Sequence, residues 1–374
     1  MGIEGITPLL LLVLQSAGEH LESARHKFDE GDYDAAIEEY SAALRQDSRL
    51  SEAFAGRGEA KNYKGDLQGA ADDYSKALEL RPMDPGWRYE RGDVYDSLGR
   101  SEAARADYRR AAECPGDDVR SFRYRGLARE ELGEMDEAIR EFDAAIAKAP
   151  NDARLVAHRA SVRITKGDFT QARKDCERAL RLAPEDAVVH FQLGRLSEYT
   201  GDYKAAKARY SRAIELSPRY SRAYYGRAVA KSALSDYEGA LGDYTLALEL
   251  EPKWAAAYHN RGLARQSLKD LRGALNDFEK AVNLDPGFIE AYYNRGWTRG
   301  ELGDAERAKA DYRKAVALPG RTPVQQYYQG LAKEALGDRK GAVESYRRLL
   351  RESAEGSNPQ RWAKERLKEL EEEF

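Results

Sequence analysis

The sequence predicts an all-α fold, an α-solenoid of ten 34-residue helix–turn–helix repeats followed by a C-terminal capping helix. Three observations lead there. Glycine–aspartate turns and their relatives fall at Gly31, Gly65, Gly99, Gly133, Gly167, Gly201, Ser235, Lys269, Gly303 and Gly337, always 34 residues apart. Taking the unit to start fourteen residues before each turn, its twentieth position is alanine in all ten copies, from Ala36 to Ala342. A proline closes most units, with Pro82, Pro150, Pro184, Pro218, Pro252 and Pro286 sharing one position.

Residues 1–16 are an apolar N-terminal segment. Its run from Leu9 to Leu14 is too short to span a bilayer. Thr7 as N-cap and Pro8 at the first helical position make it a capping helix. The alternative is a weak export signal cut near Ser16-Ala17-Gly18, although a basic leader is missing and only Glu4 is charged. Repeats then span 17–50, 51–84, 85–118, 119–152, 153–186, 187–220, 221–254, 255–288, 289–322 and 323–356. In each, the turn glycine takes a left-handed position and the aspartate after it opens the second helix. The eighth position is Gly or Ala throughout, so that the two helices approach closely, and aromatics such as Tyr40, Tyr74, Phe142 and Tyr312 fill the space at the twenty-fourth. Repeats three and nine place the closing proline one residue early, at Pro115 and Pro319. Residues 357–374 form the capping helix, with Asn358 as N-cap, Pro359 opening the helix, and Trp362, Leu367 and Leu370 covering the last repeat.

This pattern resembles the tetratricopeptide repeat family across residues 17–356. The resemblance implies a right-handed superhelix whose first helices line a concave groove for extended or helical peptides. Arg88 and Gln326 depart from the aromatic that the family favours at position four.

The ten copies also serve as an internal alignment. Position seven is arginine in seven of them: Arg57, Arg91, Arg125, Arg159, Arg227, Arg261 and Arg295. Position twenty-three is acidic in the same seven: Asp73, Asp107, Glu141, Asp175, Asp243, Asp277 and Asp311. Where the arginine goes, as at Leu193 and Gln329, the acid goes too, to Arg209 and Ser345. Repeat one keeps Glu39 opposite Ser23. The covariation predicts a salt bridge within each repeat, with the basic position eleven (Arg129, Arg163, Arg265, Arg299) sharing its carboxylate.

Net charge is −4, so no general basic field recruits nucleic acid or acidic membrane. Cys114 and Cys176 form no CxxC pair, which fits a reducing, cytoplasmic setting. The five histidines lack metal-ligand spacing, and no nucleophile elbow, P-loop or dinucleotide fingerprint is present. Repeats and caps take up the chain, so neither enzyme activity nor a cofactor is expected.

The groove positions that the resemblance implies are two, five, nine, twelve and thirteen of the first helix. They carry eleven acidic residues against six basic ones, which disfavours a polyanion. Glu59, Asp93, Asp96, Glu130 and Glu131 gather in repeats two to four, beside Tyr89 and Arg123. Position five then becomes aromatic, with Phe191, Tyr225, His259, Tyr293 and Tyr327 forming a ladder and Trp297 beside it. The family's clamp for chaperone tails is not matched: Asn260 and Asn294 suit one position of it, but Tyr225 and His259 stand where lysine is expected. The expectation is a scaffold or adaptor that grips a protein segment in its groove. The alternative is a structural protein that self-assembles through its ends or convex face.

Overall fold

The computed structural model describes residues 8–353 and 358–372. Thr7 and the other residues before Pro8 lie outside that range. The described residues are helical, with short turns and no strand. They divide into two compact units, Met1–Gln192 and Leu193–Phe374. The first unit begins with the pairs α1 (Pro8–Asp29) and α2 (Tyr33–Gln46), then α3 (Ser51–Tyr63) and α4 (Leu67–Leu80). It continues through α5 (Pro85–Ser97), α6 (Ser101–Ala112), α7 (Val119–Leu132), α8 (Met135–Lys148), α9 (Ala153–Lys166) and α10 (Phe169–Leu182). The division falls inside α11 (Ala187–Tyr199), and α12 (Tyr203–Leu216), α13 (Ser221–Ala233) and α14 (Tyr237–Leu250) follow. The chain ends with α15 (Ala255–Ser267), α16 (Leu271–Leu284), α17 (Ile289–Glu301), α18 (Ala305–Ala317), α19 (Pro323–Ala335), α20 (Arg339–Glu352) and α21 (Asn358–Glu372). The apolar N-terminal segment and the first helix of repeat one are a single element, α1.

The turns fold as the repeat predicts. Glycines from Gly31 (φ 79) to Gly337 (φ 82) sit in the left-handed region, and Ser235 (φ 62) and Lys269 (φ 64) hold the same geometry without a glycine. The next aspartate caps the second helix: the Asp32, Asp66, Asp168, Asp202, Asp236, Asp270, Asp304 and Asp338 side chains each accept a backbone N–H three residues on. At α21 the helix starts on Asn358 itself, one residue earlier than predicted.

Position eight is small because the partner helix leaves no space. A Cβ on Gly296 would lie 2.8 Å from the Tyr312 ring and 3.1 Å from the Ala308 carbonyl. Within each unit, neighbouring first helices pack on one another (α1 on α3, α5 on α7, α17 on α19), whereas no two second helices pack comparably. The first helices therefore form the inner side of each unit's curve. At the C-terminal end, Leu367 and Leu370 of α21 close over Tyr346 and Leu349.

All seven predicted bridges are present. Arg295 donates to Asp311 through Nε at 3.0 Å and Nη2 at 2.5 Å, and Arg227 to Asp243 at 2.8 and 2.7 Å. Arg57–Asp73, Arg91–Asp107, Arg125–Glu141, Arg159–Asp175 and Arg261–Asp277 repeat the arrangement. Position eleven adds a second cation to the same carboxylate, as Lys61 on Asp73, Arg163 on Asp175, Lys231 on Asp243 and Arg265 on Asp277. A further partner was not read from the sequence. The remaining guanidinium nitrogen reaches back to position twenty-five of the preceding repeat, Ser41, Ser75, Asp143, Ser211 or Thr245. Five of the seven arginines, Arg57, Arg91, Arg159, Arg227 and Arg261, thus tie three helices together. In repeat one, Glu39 pairs with His20 at 2.6 Å. The arginines hold the fold.

Candidate functional site

Helices α3, α5 and α7 carry the acidic residues of the first unit. Positions nine, twelve and thirteen share a face because three- and four-residue steps both come close to one helical turn. Glu59, Asp96 and Glu131 are exposed, while Asp93, Glu130 and Arg123 are half-buried. Glu90 lies among them. Its pKa is pushed up to about 7, first by burial and then by the charges of Glu59 and Asp93. The Tyr124 hydroxyl, donating to Glu90 Oε1 at 3.3 Å, and the Arg123 guanidinium pull it back down. Although Glu59 keeps an exposed edge, the side chains packed around its carboxylate desolvate it and raise its pKa, and the Asp29 charge adds to this. Burial, followed by Asp93 and Glu131, raises the Tyr89 and Tyr108 hydroxyls, so these acids surround one pair of rings. Those rings touch, with centroids 5.7 Å apart. Glu130 accepts a hydrogen bond from Ser161 Oγ at 2.9 Å. Arg123 lies over the Tyr124 ring at 4.6 Å.

Sequence reasoning missed Glu90, because position six was not counted among the groove positions. The available hint was its polar character in Glu90, Gln192, Asn260 and Asn294. Tyr63 was also passed over. It is 59% exposed and stacks on Tyr33 at 5.0 Å, beside Glu59.

The aromatic ladder is placed differently from the expectation. Tyr225 stacks on Trp254 at 4.4 Å, leans on Tyr244, and accepts a hydrogen bond from Asn260 at 2.7 Å. Tyr293 lies against Tyr312 and Tyr328, and Tyr327 against Tyr346 and Trp362. Phe191, in the first unit, is half-buried. His259 is only 7% exposed, lies against Phe278 and Phe288, and its Nε2 accepts from Asn294 at 2.9 Å. Burial lowers its pKa to about 4, so it is neutral. His259 is therefore a packing residue and not a groove surface. The cause is local: position five lies at the seam where the following repeat begins, and its ring covers that junction. Trp297, at position nine, remains 38% exposed and walls an open pocket of ≈300 Å³ with Gln266, Ser267, Tyr293 and Asn294.

Among the described residues, no group of three or more His, Cys, Asp or Glu is placed to hold a metal ion, and no helix is long and apolar enough to cross a membrane.

A repeating helix pair with small residues at the crossing and an inner face built from first helices defines a helical-repeat protein. Family models described as tetratricopeptide repeat match residues 21–85, 56–119, 123–187 and 191–256, and others of that description match 255–288, 289–320 and 326–355. The chain belongs to the tetratricopeptide repeat family. Among solved structures it is similar to human IFIT1, in a dimer with m7Gppp-AAAA. That match has 17% identity over 85% of this chain and 80% of the other, with a TM-score of 0.60. Yeast Tom70 matches at 16% identity over 87% and 96% of the two chains, with a TM-score of 0.47. A repeat protein from Parabacteroides merdae matches at 19% identity over 76% and 99%, with a TM-score of 0.42. No curated protein matches.

Proposed function

We propose that this protein is a non-enzymatic scaffold that binds a protein segment along the inner face of its first helices. In the first unit, that segment is rich in lysine or arginine. The observation that carries this reading is the clustering of carboxylates on α3, α5 and α7, where burial and the charges of Glu59 and Asp93 push the Glu90 pKa up to about 7. Carboxylates crowded together in a partly desolvated groove repel one another, and a cationic side chain among them relieves that repulsion. Tyr63 and Tyr89 supply ring surface for the aliphatic stems of such side chains. IFIT1 is solved with a capped RNA, but at 17% identity the likeness concerns the fold, and a polyanion would meet the groove's carboxylates. In the second unit, Trp297 and its pocket offer exposed aromatic surface on the first helices.

The test is a fluorescence-anisotropy titration of the full chain with a labelled Lys/Arg-rich peptide, a Glu-rich peptide and an RNA oligonucleotide. Binding confined to the basic peptide, and weakened at least tenfold by Asp93→Asn with Glu131→Gln, supports the reading. Preference for the RNA or the acidic peptide defeats it.

A further inference from the structure

We infer that the tenth repeat contains a binding site for a carboxylate, formed by Lys333, Ser345 and the cavity beside them. The inference is independent of the groove and comes from comparing repeats. In repeats two and seven, position eleven is also lysine, and Lys61 and Lys231 place Nζ 2.8 Å from Asp73 and Asp243. Lys231 additionally reaches the Gly239 carbonyl at 3.2 Å. Lys333 has the same surroundings, with the Gly341 carbonyl at 3.4 Å, but the atom at 2.8 Å is the Ser345 hydroxyl. The lysine has kept its place while its carboxylate has been replaced by a neutral side chain. No ion pair links Lys333 to a described residue.

Repeat six shows the alternative solution. There Leu193 and Ser197 replace both first-helix cations, and the acid position itself becomes Arg209. Repeat ten removes the arginine and the acid but keeps the lysine. Gln329, standing for the arginine, directs its Nε2 to the carbonyls of Ala315, Val316 and Leu318 at the C-terminal end of α18. The exchange of a long arginine and an aspartate for glutamine and serine leaves a cavity of ≈440 Å³, which Lys333, Ser345, Gln329 and Arg348 help to line. Arg348, which lines the cavity, donates to Glu352 through Nε at 2.8 Å. Glu344 also lines it, which favours a single carboxylate over a polyanion.

A half-buried ammonium without a counter-charge favours an anion supplied from outside, and the sibling repeats show which anion fits this geometry. Gln326 adds a second feature. Its Nε2 donates to Glu352, and its Oε1 is buried with no hydrogen-bond partner, so a ligand N–H beside the carboxylate would satisfy it. The carboxylate can come from a glutamate or aspartate of a partner protein or from a free small dicarboxylate.

The experiment is lysine-side-chain NMR on the full chain, titrated with glutarate and separately with N-acetyl-glutamate N-methylamide. The Lys333 resonance is assigned by its loss in Lys333→Met. The decisive variant is Ser345→Asp, which restores the lysine–aspartate pair of repeat seven and so is expected to fold. The expected result is a saturable shift of Lys333 in the wild type and at least tenfold weaker binding in Ser345→Asp. Stronger binding of the glutamate derivative identifies a protein side chain as the source, and binding of glutarate alone identifies a free dicarboxylate. A Lys333 resonance unmoved by both probes overturns the inference, as does a Ser345→Asp variant that titrates like the wild type.

Discussion

Asp277→Ala is expected to be the most damaging single charge removal in the second unit. Asp277 is fully buried. It accepts from Arg261 Nε at 2.9 Å, Arg261 Nη2 at 2.7 Å and Arg265 Nη1 at 2.7 Å. Truncation removes three charge-assisted hydrogen bonds, each contributing about 1.5–3 kcal/mol, and leaves two guanidinium groups at a dry helix interface. Arg265 retains the Gly273 carbonyl at 3.1 Å and Asp270 at 3.6 Å, so part of its loss is recovered. The net cost is about 3–5 kcal/mol, as for other broken buried pairs. Adding Arg261→Leu and Arg265→Ser, the residue types that repeat six carries at those two positions, should recover most of that loss, because no charge is then stranded. Repeat arrays open locally, so the assay is native-state hydrogen exchange at α15 and α16 alongside urea denaturation. The reasoning fails if Asp277→Ala lies within about 1 kcal/mol of wild type, or if the triple variant is no more stable than the single one.

Other outcomes follow from the same geometry. Glu90 has a folded pKa of about 7 against an ordinary 4.5, so the stability it contributes is present below pH 4.5 and is lost as pH rises through 7. Glu90→Gln should therefore match wild type at pH 4 and exceed it by about 3 kcal/mol at pH 8 in urea unfolding. Lys269→Gly should raise the melting temperature, adding about 1 kcal/mol by relieving a left-handed non-glycine residue, and a fall would refute the strain. Tyr293→Ala should destabilise by about 3 kcal/mol because its ring fills the seam with Tyr312 and Tyr328. Trp297→Ala, at an exposed position, should leave melting nearly unchanged, and equal losses in the two variants would erase the distinction between seam and surface.

The repeat frame was fully legible, because a strict 34-residue period forces the same backbone solution ten times. The arginine–carboxylate bridges were legible for the same reason, since Leu193 and Gln329 change together with Arg209 and Ser345. What the frame concealed were contacts between repeats. The Ser41 and Ser75 hydroxyls that accept from Arg57 and Arg91 belong to the preceding repeat, and no pattern within one repeat exposes them. At position five, a helix-face argument places His259 on the inner side but does not foresee that Phe288, at the end of its repeat, helps to bury it. Glu90 escaped because its character depends on Glu59 and Asp93 from two different helices.

The most direct measurement is the proton balance when a Lys/Arg-rich peptide binds, obtained by calorimetry at pH 7 in buffers of different ionisation enthalpy. A cation entering among Glu59, Glu90 and Asp93 must lower the pKa of Glu90, so binding should release protons at pH 7, and the release should vanish in Glu90→Gln. Binding with no proton exchange, or with the same release in Glu90→Gln, would contradict a cationic segment seated in this groove.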